Sequence, residues 1–189
     1  RQDFLPLFLY TVVMSTPVQF LSEQLHLEHS KLQSQRLAAW IGHDAERFAA
    51  LMDIFLGGDY RLNQRSAWVL IHVAQKSPGL VGAWLPRMVA KIREPGVHDA
   101  VKRNVVSLLE DIDIPDNIID DLADICFCFL ADPREAVAIR VFSMTVLDKI
   151  CQKIPELNPE LRLIIEEHIE HGTAAFKSRG NKILKKLLL

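Results

Sequence analysis

The sequence predicts an all-α protein, an α-α superhelix of about four to five helix pairs. Three observations carry that expectation. Strand signals are nearly absent, because no two-residue turn joins alternating apolar runs. Helix punctuation recurs instead, with capping residues before apolar-periodic stretches and Gly or Pro after them. The punctuation also repeats: Pro78, Pro115 and Pro155 each follow the second helix of a pair, at intervals of 37 and 40 residues.

Taken in order, residues 1–16 read as an N-terminal extension and 17–189 as the repeat domain. The apolar run FLPLFLYTVVM is too short to span a bilayer and contains Pro6. Only Arg1 precedes it and no small-residue cleavage site is obvious, so it does not read as a secretory leader. A start at Met14 would leave Ser15 or Thr16 to cap a helix opened by Pro17. The next stretch, GHDAERFAALMDIFLGGD, opens on Asp44 as cap and stops at Gly57-Gly58. A single helix is expected between Pro78 and Pro95-Gly96. Another should run from Asp116, as N-cap, to Asp132-Pro133, and a third lies between Pro159 and Gly172. Second helices fill the intervals near 62–77, 98–112, 134–153 and 173–188. The helix at 134–153 is apolar nearly all round, as a helix enclosed within a stack should be.

Aligned on Leu62, Val101, Val137 and Phe176, the second helices repeat every 39, 36 and 39 residues. Seven positions on stand Val69, Leu108, Met144 and Ile183, two turns along the same face. A two-helix unit of this length cannot bury its own apolar face, so neighbours stack as in a HEAT- or armadillo-like solenoid. The stretch LADPREAVAIRVFSMTVLDKI resembles HEAT repeats in its Asp-Pro turn and the β-branched, then basic helix that follows. It departs from that pattern at Ala138, where Arg is usual, and has Arg140 two residues later. Residues 17–189 also resemble small bacterial HEAT-like proteins, through QRSAWVL, VHDAVKRN, IDIP and FKSRGNKILKK. Some proteins of that type are labelled adenylosuccinate lyase, but the Ser-Ser-x-Met-Pro-x-Lys-x-Asn loop of that superfamily is absent here.

Residue chemistry points to a surface and not to a reaction. Along the helix that VHDAVKRN begins, Val101, Val105, Leu108, Leu109 and Ile112 define a core face. Asp99 and Arg103, spaced i,i+4, form a solvated pair on the other side. His26/His29 and His168/His171 are spaced i,i+3, yet neither couple has the third ligand a metal site needs. Cys126 and Cys128 stand two apart, which suits neither a metal claw nor a redox CxxC; both are expected to pack in the core, as are Trp40, Trp68 and Trp84. No Gly-rich phosphate loop, nucleophile elbow or paired-carboxylate motif occurs, so neither catalysis nor a cofactor is expected. Three cysteines without framework spacing suggest reduced thiols in a cytoplasmic compartment.

Charge is the remaining signal. The whole chain is near neutral, at −2, which excludes a general nucleic-acid coat. The first helices from residue 44 onward nevertheless sum to −10 and the second helices to +9. The HEAT resemblance implies that second helices line a concave side, here the basic one. Arg65, Arg140 and Arg179 share one repeat position, with Asn104 in the remaining repeat and Arg103 beside it. Together with Lys102 and Lys177 they form the expected partner-binding layer. The same arginines would equally suit bonds between neighbouring repeats. The reading that follows is a non-catalytic interaction scaffold for a protein partner, with no membrane segment. A nucleic-acid-binding module related to DNA alkylation repeat proteins is the alternative, and a lyase-like enzyme comes last.

Overall fold

The computed structural model describes residues 15–57 and 59–187; the expected extension falls almost wholly outside them. Among the described residues are eleven α-helices, two 3-10 turns and no strand. The chain divides into two compact units, Arg1–Leu85 and Pro86–Leu189.

The first unit holds α1 (Pro17–Leu27), α2 (Lys31–Ile41), α3 (Ala45–Gly57), α4 (Tyr60–Lys76) and the short α5 (Pro78–Gly82). Thr16 and Gln19 cap α1 reciprocally, each side chain accepting from the other's backbone N–H at 3.3 and 3.1 Å. Asp44 opens α3 by accepting from the N–H of Glu46 and Arg47, and Asp59 opens α4 by accepting from that of Leu62. First helices pack together (α1 on α3), as do second helices (α2 on α4). Phe20, Phe48 and Phe55 are buried in this unit, each contributing about 1.5–3 kcal/mol. Helices α2 and α4 run side by side and parallel. His29, just before α2, lies 4.8 Å from the ring of Trp68 at the middle of α4, and at the ends of both helices Ser77 donates to the Gly42 carbonyl at 3.0 Å.

The second unit begins within α6 (Leu85–Arg93) and continues with α7 (Asp99–Asp111), α8 (Ile119–Ala131), α9 (Val137–Lys153), α10 (Asn158–Ile169) and α11 (Ala174–Leu187). Helix α9 packs against α7, α8 and α11, and 10 of its 17 residues are buried. The apolar circumference read from the sequence therefore has its cause in neighbours on several sides. Gly180 sets the approach of α11 to α10: a Cβ there would meet Ile165 Cγ2 at 3.0 Å and Ile169 Cδ1 at 3.3 Å.

Several expectations need correction. The single helix between Pro78 and Pro95 is two, α5 and α6, with a turn at Ala83-Trp84. A continuous helix would drive the Pro86 ring into the Gly82 carbonyl, so the chain restarts one residue before the proline. Asp116 does not cap α8; it opens a 3-10 turn, Asp116–Ile118, and its carboxylate accepts from Lys153 at 3.2 Å. Helix α9 starts at Val137, not 134, because Asp132 accepts from the Arg134 N–H at 2.9 Å and holds the Asp-Pro turn open. As the first residue of its helix, Val137 is exposed, whereas Val69, Leu108, Met144 and Ile183 are all buried. Trp68 is 46% exposed rather than core. Cys128 is exposed while Cys126 is buried, since residues two apart on a helix cannot share a face.

Candidate functional site

Most of the basic side chains expected to face a partner turn into the protein. Arg140 is 8% exposed: its Nε donates to the Leu130 carbonyl at 3.0 Å, closing the end of α8, and its guanidinium lies 4.7 Å from the centre of the Phe176 ring. Burial pulls its pKa below the usual arginine value, with Asp132 opposing. Arg65 donates to the Leu25 and His26 carbonyls at 2.5 and 3.1 Å, at the end of α1. Arg179 on α11 reaches across α9, donating to the Thr145 hydroxyl and to Glu110 of α7 at 2.7 Å. Lys102 pairs with Glu135 at 2.8 Å and sits 5.2 Å from the centre of the Phe129 ring.

Two lysines not singled out in the sequence follow the same rule. Lys149 donates to the carbonyls of Leu109, Glu110 and Ile112, so an ammonium meets the negative end of α7. Burial lowers its pKa, against the neighbouring Asp113, Asp111 and Glu110. Lys186 bonds Asp148 of α9. Only Arg103, half-buried, and Lys177, exposed, remain of the six expected contacts without a hydrogen-bond or ion-pair partner among the described residues. The expected Asp99–Arg103 pair is therefore not made. His98 accepts from the Ala100 N–H at 3.0 Å and caps α7, which places VHDAVKRN at a helix start.

An open surface lies in the first unit, on the solvent side of α2 and α4. These helices, 11 and 17 residues long, carry Lys31, Arg36, Arg61, Arg65 and Lys76 and no Asp or Glu. Of these cations all but Arg65 lack a partner among the described residues. Between them Trp68 and Ile71, 46% and 44% exposed, stand one turn apart on α4; Leu32 of α2 and Leu27 at the end of α1 are also exposed. The sequence carried a signal for this surface in two acid-free helices, one of them with a tryptophan away from its apolar stripe.

A groove of about 380 Å³ separates α6 from α8, with Val89, Ala90, Ile118 and Ile125 in its lining. Arg93 crosses it, pairing with Asp121 at 2.8 Å and Asp124 at 3.5 Å, and a second hollow beyond reaches Cys128. No group of His, Cys, Asp or Glu among the described residues could hold a metal ion. Burial raises the Cys126 thiol to about 12 and the Cys151 thiol to about 11, far from nucleophilic thiolates. No described helix is long and apolar enough to cross a membrane.

First helices on first and second on second, joined by bonds from one repeat to the next, define an α-helical repeat protein. The chain matches the HEAT repeat domain over residues 21–187 and belongs to that family. No curated protein and no solved structure matches it.

Proposed function

We propose that this protein is a non-catalytic interaction scaffold that binds a protein partner on the second helices of its pairs. Helical-repeat proteins offer extended surfaces for such contacts. The observation that carries the reading to this chain is the exposed side of α2 and α4, where Trp68 and Ile71 lie open among partnerless cations. Exposed apolar groups of this size, rimmed by charge, mark contact surfaces. Arg65, Lys102, Arg140 and Arg179 then serve the stack, while Arg103 and Lys177 stay available to a partner. The three free thiols support a reducing, cytoplasmic setting.

Affinity purification of the full chain beside a Trp68→Ala/Ile71→Ser variant tests the reading. A protein retained by the parent, lost with the variant and indifferent to nuclease is the expected result. Nuclease-sensitive retention moves the protein to the nucleic-acid reading, which the cations flanking Trp68 favour. Adenylosuccinate turnover that follows the protein through purification removes the non-catalytic reading.

A further inference from the structure

We infer that the exposed face of α2 and α4 takes an acidic peptide segment of a partner protein, anchored by one or two apolar side chains. The inference rests on the scaffold reading and names the chemistry of its partner. Lys31, Arg36, Arg61 and Lys76 have no partner among the described residues, and no carboxylate lies on either helix to neutralise them. The nearest acids in sequence are at the edges and are engaged there: Glu28 accepts from the Ser30 hydroxyl, Asp44 caps α3 and pairs with Arg47, and Asp59 caps α4. An acidic segment supplies what the face lacks and gains from each pair formed. A second copy of the same face is repelled by it.

The apolar groups decide between acidic peptide and nucleic acid. Leu27, Leu32 and Ile71 are aliphatic and exposed. They have no counterpart on a sugar-phosphate backbone, and single strands prefer successive aromatic platforms. A Leu or Phe of a peptide can lie against them. Trp68, held on one side by His29, offers a rigid wall that loses little freedom on binding.

The probe is a synthetic sixteen-residue peptide of Glu and Asp interrupted by Leu and Phe. Poly-glutamate of equal charge and a sixteen-nucleotide oligo-dT serve as comparisons, all titrated calorimetrically against the full chain at low salt. The expected order is peptide tightest, with poly-glutamate at least tenfold weaker. Trp68→Ala/Ile71→Ser and Arg36→Gln/Arg61→Gln should each weaken the peptide about tenfold or more without moving the melting temperature. Lys182→Gln/Lys185→Gln, on exposed cations of the second unit, should leave it unchanged. Equal losses from that control variant mean diffuse charge attraction and overturn the inference. So does tighter binding of oligo-dT, or a parent dimer that the Trp68 variant dissolves. No peptide binding while the purified partner still binds the parent refutes the acidic-peptide inference alone. Absence of any partner refutes the scaffold reading as well.

Discussion

The two units hold their helix pairs together with different chemistry. In the first, neutral side chains make bonds beside two arginines: Asn63 donates to the Phe55 carbonyl and Gln33 to Gln24, while Arg65 reaches the Leu25 carbonyl and Arg47 the Trp40 carbonyl. In the second, charged groups do so: Arg140 on Leu130, Lys149 on the end of α7, Arg179 on Glu110 and Lys186 on Asp148. Asn63 and Arg140 do the same task, each closing the C-terminus of the first helix of its own pair. The difference shows where cations become available to a partner. Where acceptors stand on the neighbouring helix, as Glu110 and Asp148 do, a cation turns inward. Helices α2 and α4 have no such carboxylates, and four of their five cations stay outside.

The largest expected effect tests that pairing of roles. Arg140→Ala should cost about 2–4 kcal/mol, since it leaves a buried carbonyl unmatched and empties the space over Phe176. Asn63→Ala should cost about 1–3 kcal/mol for its unmatched carbonyl alone. Arg140→Met should recover part of the loss, because methionine refills the space. Urea unfolding of the three variants checks the order. An Asn63 variant as damaging as Arg140→Ala would erase the distinction between the units.

A smaller effect is expected for the strap across α9. A double-mutant cycle on Glu110→Gln and Arg179→Gln should give a coupling of about 0.5–1 kcal/mol, given side chains 17% and 32% exposed. Zero coupling would mean that Arg179 serves packing only, and would return it to the partner-facing set.

The smallest effect is acidic. Hydrogen bonds from Arg134 lower the Asp132 carboxyl from 3.8 to about 2. A folded-state pKa below the unfolded one adds stability above about pH 4 that is lost as pH falls toward 2. Melting temperatures of the parent and Arg134→Gln should therefore differ at pH 5 and converge near pH 2. Curves that stay parallel down to pH 2 would show that this exposed turn adds nothing to the second unit.

Some of this was legible residue by residue. Asp44 and Thr16 announce their helices because capping is a local matter, decided within three residues. Val69, Leu108, Met144 and Ile183 announce the core because their spacing repeats with the stack. Other readings failed where the outcome turned on what lay next to a residue. The break at Pro86 is local, set by its ring against the carbonyl four residues back, whereas the exposure of Trp68 depends on which face of α4 the neighbouring helices cover. For Arg140 the sequence left a partner contact and a structural bond equally open; the carbonyl end of α8 lies within its reach and takes it, and the end of α7 takes Lys149 in the same way.

By itself, then, the sequence determined the helices, their pairing and the repeat, since backbone hydrogen bonds and the burial of a periodic apolar stripe act over a few turns. Only the tertiary structure decided which cations are bound and which are free. A guanidinium or ammonium on a long flexible stem takes whatever acceptor the neighbouring repeat presents. For Arg65, Lys149 and Lys186 that acceptor stands about forty residues away along the chain.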